Sequence, residues 1–427
     1  MNIPLVDLKA QYKVIEEKSV KAVGEVLSSA SYIMGKDVTE FENEFAEYIG
    51  VKHAISVGNG TDALVVALMA CGIREGDEVI TTPFTFFATA ESISFVGATP
   101  VFVDVEKDTY NIDPLKIEEK ITKKTKAIMP VHIFGQPAKM DEIMAIAKKH
   151  NIKVIEDAAQ AVGAEYKEKK VGAIGDVGCF SFFPTKNLGC AGDGGIITTY
   201  DDNIATIVRA LRTHGSGENG QRAYNLLNKI NEEVKTSEGH DDTVYNPLKY
   251  YNYLIGFITR LDTIQAAILR IKLSHIDNWN EKRRENAKMY DEKLRDTSLT
   301  LPITIAESKS VYNMYVVQSE NREKMINKLN DKGISTGIYY PVPMHLQKVY
   351  KNLGYKEGDM PVAEYLSHRT FAIPIFPELS IEQKNYIVET IKMWLDYKFY
   401  IIKITLMTSK LLADFLSNYN SCYSKYL

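Results

Sequence analysis

Residues 152–158, IKVIEDA, set an almost unbroken apolar run against two carboxylates, Glu156 and Asp157. The same texture recurs in HAISV (53–57), DEVITT (77–82), TPVFVDV (99–105) and TKAIMPVHIFG (125–135). Continuous rather than alternating hydrophobicity predicts strands covered on both faces, as in a mostly parallel sheet. Helix-like stretches lie between them. VTEFENEFAEYIG (38–50) spaces Phe41, Phe45 and Ile49 along one helical face and stops at Gly50, a suitable C-cap. With two more strands over 176–183 and 194–200, the pattern is α/β: seven strands flanked by helices.

The totals agree with this reading. The chain has 427 residues, of which 45% are apolar and 25% charged, and a formal charge of -4. That is soluble globular composition, long enough for two domains, with no basic block suited to nucleic acid or an anionic membrane. Cys71, Cys179, Cys190 and Cys422 lack paired metal or redox spacing, so free thiols and no metal site are expected. The first residues have no export signal, which makes the cytoplasm the expected location. From Arg260 a long helical run leads into VYNMYVVQS (311–319), REKMINKLNDKG (322–333) and ISTGIYY (334–340), which read as strand, helix and strand of a smaller α+β domain. We therefore expect a large domain over 1–280, a small domain over 281–397 and a tail over 398–427. In that tail FYIIKITLMTSKLLADFL (399–416), broken by Lys403, Lys410 and Asp414, reads as an amphipathic helix or partner contact. The polar, tyrosine-rich stretch 216–253 carries no clear assignment.

Three places could carry chemistry. In SVGNGTDAL (56–64) a strand passes through Gly58, Asn59 and Gly60 into a helix at Thr61. That is either a phosphate site made of backbone amides or a tight turn with a capping threonine. Asp157 falls at the end of a buried strand, where ligands of open α/β sheets gather, although it could simply cap a following helix. Gln160, one helical turn later, would face the same way. SFFPTKNLGCAGDGG (181–195) puts Lys186 between aromatic and small residues. It is either an ordinary surface lysine or a buried amine with a lowered pKa, ready for Schiff-base chemistry. Together the three suit pyridoxal phosphate, which needs amides and hydroxyls for its phosphate, a carboxylate for its ring nitrogen and an amine for its aldehyde. Phe86 or Phe87 of TTPFTFFATAES (81–92) could cover the ring or belong to the core.

These stretches, with PLVDLKAQY (4–12), LRTHG (211–215), RLDTIQAAILRIKL (260–273), YYPVPMHLQ (339–347) and IPIFPELS (373–380), resemble in order the DegT/DnrJ/StrS sugar aminotransferases, fold-type I pyridoxal phosphate enzymes. The resemblance spans about residue 3 to about 397. It implies that Lys186 carries the cofactor and moves the proton, that Asp157 pairs with the pyridine nitrogen, and that Gln160 lies near the ring hydroxyl. Phe86 would stack on the ring, while Gly60, Thr61 and Ser181 hold the phosphate. It further implies a homodimer, glutamate as amino donor and a nucleotide-linked keto sugar as acceptor. Tyr32 and His345 match stretches that approach the sugar nucleotide. Similar dehydratases carry histidine in place of the lysine, so Lys186 favours amino transfer over dehydration. The intact set of Asp157, Gln160 and Lys186 argues against a non-catalytic regulatory role, and another pyridoxal phosphate reaction on a sugar, such as epimerisation, stays an alternative. The likeness is strongest to enzymes aminating C3 of a UDP-linked 3-oxo N-acetyl sugar or uronate for surface polysaccharide, with dTDP-linked 3-oxo or 4-oxo deoxy sugars as the alternative. One departure stands out: GFITRLD (256–262) has Ile258 where many members place an asparagine that reaches the partner's phosphate.

Overall fold

A computed structural model of the chain describes residues 1–234 and 247–395. Helices α1 (Leu8–Ser29) and α2 (Lys36–Ile49) precede β1 (His53–Val57). Phe41, Phe45 and Ile49 are buried, and α2 ends at Gly50, whose φ of 83° only glycine adopts freely. There follow α3 (Gly60–Ala70), β2 (Glu78–Thr81), α4 (Phe87–Phe95), β3 (Thr99–Phe102), β4 (Thr125–Ile128), α5 (Met140–His150) and β5 (Lys153–Asp157). A small hairpin, β6 (Glu165–Tyr166) and β7 (Lys169–Lys170), leads to β8 (Val177–Ser181) and β9 (Gly195–Thr199).

Seven of these strands form one sheet in the order β1-β9-β8-β5-β4-β2-β3, as the apolar runs predict. Only β9 runs antiparallel to its neighbours, β1 and β8. Both faces are covered. Val177 and Cys179 of β8 join a core with α3 and α6 (Asp202–Leu211), while Phe180 joins another with α2. Within the unassigned polar stretch, α7 (Gly217–Asn228) buries Ala223 and Asn225. Residues 235–246 of that stretch and the proposed tail lie outside the described residues.

The long run after Arg260 is two helices, α8 (Thr263–Leu273) and α9 (Ile276–Leu294). At the break the Ser274 hydroxyl donates to the Ile271 carbonyl over 2.7 Å, competing with continued helix. Along α9, Ile276 packs in the core beside the large sheet, while Ala287, Tyr290 and Leu294 enter a second core. That second core holds β11 (Tyr315–Gln318), α10 (Arg322–Asp331) and β12 (Thr370–Ile373), after the short β10 (Ser308–Lys309) and with α11 (Pro361–Arg369) nearby. Two expectations change here. The partner of β11 is β12, not 334–340, which makes only single bridges through Ile334 and Gly337. The second is at the N-terminus: Ile3 is buried in the second core, its N–H bonded to Gly333 O (2.8 Å) and its carbonyl to Ser335 N (2.9 Å).

Candidate active site

Parallel β1, β5 and β8 end side by side, and each delivers one part of the site. Asp157 closes β5 opposite Cys179 of β8, and Ser181 closes β8 opposite Gly195, which also faces Val57 at the end of β1. Immediately after β1, the Asn59 side chain accepts from the Asp62 N–H (2.8 Å) and caps α3. The cap is therefore Asn59, not Thr61. Thr61 sits in the first turn with its hydroxyl not used for capping, among amides whose dipoles favour an anion. Gly60 lies against Ser181: a Cβ on Gly60 would stand 2.6 Å from the serine Cβ. The turn is anchored from a distant segment, because Thr259 accepts from the Gly58 N–H (2.9 Å) and donates to Asp62.

Asp157 is buried, and no helix follows it, so it does not act as a helix cap. Burial pushes its carboxyl above the usual carboxylate range, against the pull of Thr89, the Ala159 N–H and Lys186. Thr89 donates to Oδ2 over 2.7 Å and Ala159 N–H to Oδ1 over 3.2 Å. Lys186 lies close enough to interact with Asp157. Burial lowers its amine pKa to about 8 despite that carboxylate, and among the described residues the amine has no hydrogen-bond partner. The loop holding it is fixed next door, where Asn187 donates to Asn280 (2.7 Å) and Val311 O (2.9 Å) and accepts from Asn313 (2.9 Å).

Gln160 is reached through turns rather than a helix, and its amide is already engaged. Its carbonyl accepts from Phe134 N–H (2.7 Å) and its NH2 donates to the Tyr340 hydroxyl (2.9 Å), joining residues 180 positions apart. Phe86 precedes α4 and is 59% exposed, while Phe87 is partly buried against Tyr350. Tyr32 is exposed, and its carbonyl accepts from Thr263 N–H at the start of α8. His345 does not face open solvent: it is buried, with Nε2 3.0 Å from Glu364 and its ring against Tyr355. Ile258 is exposed and pairs through its backbone with Thr213. Sequence reasoning passed over Thr89, Thr259 and Tyr340, although Thr89 stands in the segment singled out for its phenylalanines.

Crowded amides at Gly60, a buried carboxylate and an unpaired amine of low pKa fit the three functional groups of pyridoxal phosphate. Residues 13–392 match the DegT/DnrJ/EryC1/StrS aminotransferase family. The chain belongs to that family. It is an aminotransferase, and its cofactor is pyridoxal 5′-phosphate. It is 44% identical to a pleiotropic regulatory protein of Geobacillus stearothermophilus, over 92% of this chain and 98% of that one. It is 41% identical to the UDP-N-acetyl-3-dehydro-alpha-D-glucosamine 3-aminotransferase of Acidithiobacillus ferrooxidans, over 89% and 95%. Identity is 37% to the dTDP-3-amino-3,4,6-trideoxy-alpha-D-glucose transaminase of Streptomyces venezuelae, over 92% and 96%. The fold superimposes on crystalline DesV of S. venezuelae in complex with a ketimine intermediate with a TM-score of 0.83, at 36% identity over 92% of this chain and 98% of that one. NtdA of Bacillus subtilis, solved with bound cofactor PMP, gives a TM-score of 0.76 at 28% identity, over 89% and 82%. Among the described residues no helix is long and apolar enough to cross a membrane.

Proposed function

We propose that this enzyme transfers the amino group of glutamate to C3 of a UDP-linked 3-oxo N-acetyl sugar or its uronate, in the cytoplasm, for surface polysaccharide. The observation that carries the reading is the 41% identity, nearly end to end, with a UDP-sugar 3-aminotransferase. A dTDP-linked 3-oxo deoxy sugar is the second reading, supported by the 37% identity to a dTDP-3-amino sugar transaminase.

When bound, pyridoxal phosphate supplies an electron sink for the pair left behind as a proton departs from carbon. The protein does the rest. Gly60, Thr61 and Ser181 hold the phosphate, Asp157 receives the ring N–H, Gln160 lies by the ring hydroxyl, and Phe86 covers one face. Lys186 anchors the group and then takes and returns the proton at the substrate carbon. An amine with a pKa of about 8 does this at neutral pH, and such a positioned acid/base contributes roughly 10²–10⁴-fold. Tyr32 approaches the sugar nucleotide. The active unit is a homodimer. Exposed Tyr32, Ile33, Phe86, Phe183 and Ile258 lie on segments that also carry site residues, and a second copy would remove them from water.

The test is a panel of UDP- and dTDP-linked keto sugars with glutamate, read by mass spectrometry of the amino product. Amination of the UDP-3-oxo sugars is expected. Amination of dTDP sugars alone would overturn the first reading in favour of the second.

A further inference from the structure

The Asp157 carboxylate is held by a chain of two buried hydroxyls. Thr89, in the first turn of α4, has its Oγ1 2.7 Å from Asp157 Oδ2 and 3.0 Å from Thr85 Oγ1. Both threonines are 1% exposed, so water does not substitute for either contact. A hydroxyl has one proton to give. With Asp157 ionised, Thr89 must donate to the carboxylate, and Thr85 must donate to Thr89. The direction of both bonds is thus fixed by the charge at the end of the chain.

We propose that Thr89 is a positioning residue for the cofactor: it fixes the Asp157 carboxylate and keeps it ionised, with Thr85 polarising the Thr89 hydroxyl from behind. The inference rests on the pairing of Asp157 with the cofactor's ring nitrogen proposed above. The reason is competition. Burial favours the neutral acid, and a neutral acid cannot hold a ring N–H as an anion does. A hydrogen bond to an ionised group is about twice as strong as a neutral one. By occupying Oδ2, Thr89 also leaves Oδ1, which otherwise takes only the long Ala159 contact, as the oxygen turned to the ligand.

The other groups around Asp157 do not replace it. Lys186 interacts through space and is committed to the cofactor aldehyde. His132 accepts the Ala138 N–H at Nδ1 (3.0 Å), so its ring proton sits on Nε2 and points at Glu156 (2.9 Å), away from Asp157. The Cys179 thiol is held protonated by burial, and the Tyr340 hydroxyl is engaged with Gln160.

The experiment compares Thr89→Val, Thr89→Ala, Thr89→Ser and Asp157→Asn by pyridoxal phosphate affinity of the apoenzyme and by the pH profile of the bound cofactor's visible absorption. Thr89→Val keeps the shape and removes the proton. Its expected loss of cofactor affinity is roughly tenfold to a hundredfold, the scale of a bond to a charged group, with the acid limb of the absorption profile moved to higher pH. Thr89→Ala gives the same result should valine disturb folding, and Thr89→Ser restores most of both properties. In the Asp157→Asn background, Thr89→Val adds no further loss. Unchanged affinity and profile in both Val and Ala variants, or a serine variant as impaired as valine, would overturn the proposal. If Asp157→Asn alone leaves affinity and profile untouched, the pairing of Asp157 with the ring is what fails.

Discussion

Gly60 and Ser181 come together so tightly that a Cβ on the glycine would lie 2.6 Å from the serine Cβ and 3.2 Å from its Cα. The obstacle includes backbone-attached atoms that cannot swing aside. Gly60→Ala must therefore move the start of α3 away from the end of β8. Overpacking of this kind costs about 1–3 kcal/mol, and here the strain falls on the amides proposed to hold the phosphate. We expect cofactor affinity to fall by at least roughly tenfold, with a modest drop in Tm. Equilibrium titration of the apoenzyme with pyridoxal phosphate, beside a melting curve, checks this; a lower Tm with unchanged affinity would mean that the phosphate lies elsewhere.

Lys186→Ala should abolish the visible band of the covalently held cofactor and slow amino transfer from glutamate by roughly a thousandfold or more, within the range of a lost acid/base group. Absorption spectra and the appearance of 2-oxoglutarate report the two effects separately. A variant that loses the band yet still turns over at the normal rate would remove the lysine from proton transfer.

The pH dependence of cofactor capture follows from the same amine. An ordinary lysine is neutral only above pH ~10, but burial lowers Lys186 to about 8. The neutral amine is the nucleophile, so the rate of capture by the apoenzyme should rise with pH and level off with a midpoint near 8. On the acid side, the raised pKa of Asp157 means that affinity begins to fall above the usual carboxylate range. A stopped-flow pH series distinguishes this from a midpoint near 10, which would place the amine in water.

Glu42 supports the site from behind. Buried in α2, it accepts from Ser56 N (2.8 Å) and Oγ (2.7 Å) and pairs with Arg212. Burial raises its pKa, but Arg212, Arg209 and Ser56 outweigh that and leave it below the ordinary value. Its contribution to stability is present above the unfolded carboxyl pKa and is lost as pH falls through the lower folded one. Glu42→Gln leaves Arg212 buried without its counter-charge, which typically costs about 3–5 kcal/mol. Denaturant melts at neutral pH should show that loss, and the gap from wild type should narrow as the medium becomes acidic.

How the residues disclose these features differs from place to place. The buried position of Asp157 is readable because an unbroken apolar run announces a buried strand, whereas the local sequence leaves a helix cap open there and a surface lysine open at Lys186. The cap of α3 is not readable in this way, since Asn59 and Thr61 are both good caps and only the end of β1 decides between them. The hydroxyl chain to Asp157 joins residues 68 positions apart, and no local pattern distinguishes Thr89 from any other buried threonine. His345 is buried against Tyr355 and Glu364, contacts that come from packing and that its local sequence does not foretell.

The burial of Ile3 beside Gly333 and Ser335 sets the large sheet, in effect, between two pieces of the second core. During synthesis the ribosome delivers the first piece of that second core at the start, with Ile3, and the rest only from Ala287 onward. The large sheet can form while the chain is still growing, since its seven strands are complete by Thr199. Gln160 acquires its Tyr340 partner only near the end of translation. A nascent chain stalled after residue 300 would thus carry Lys186 and Asp157 on a formed sheet but lack this contact.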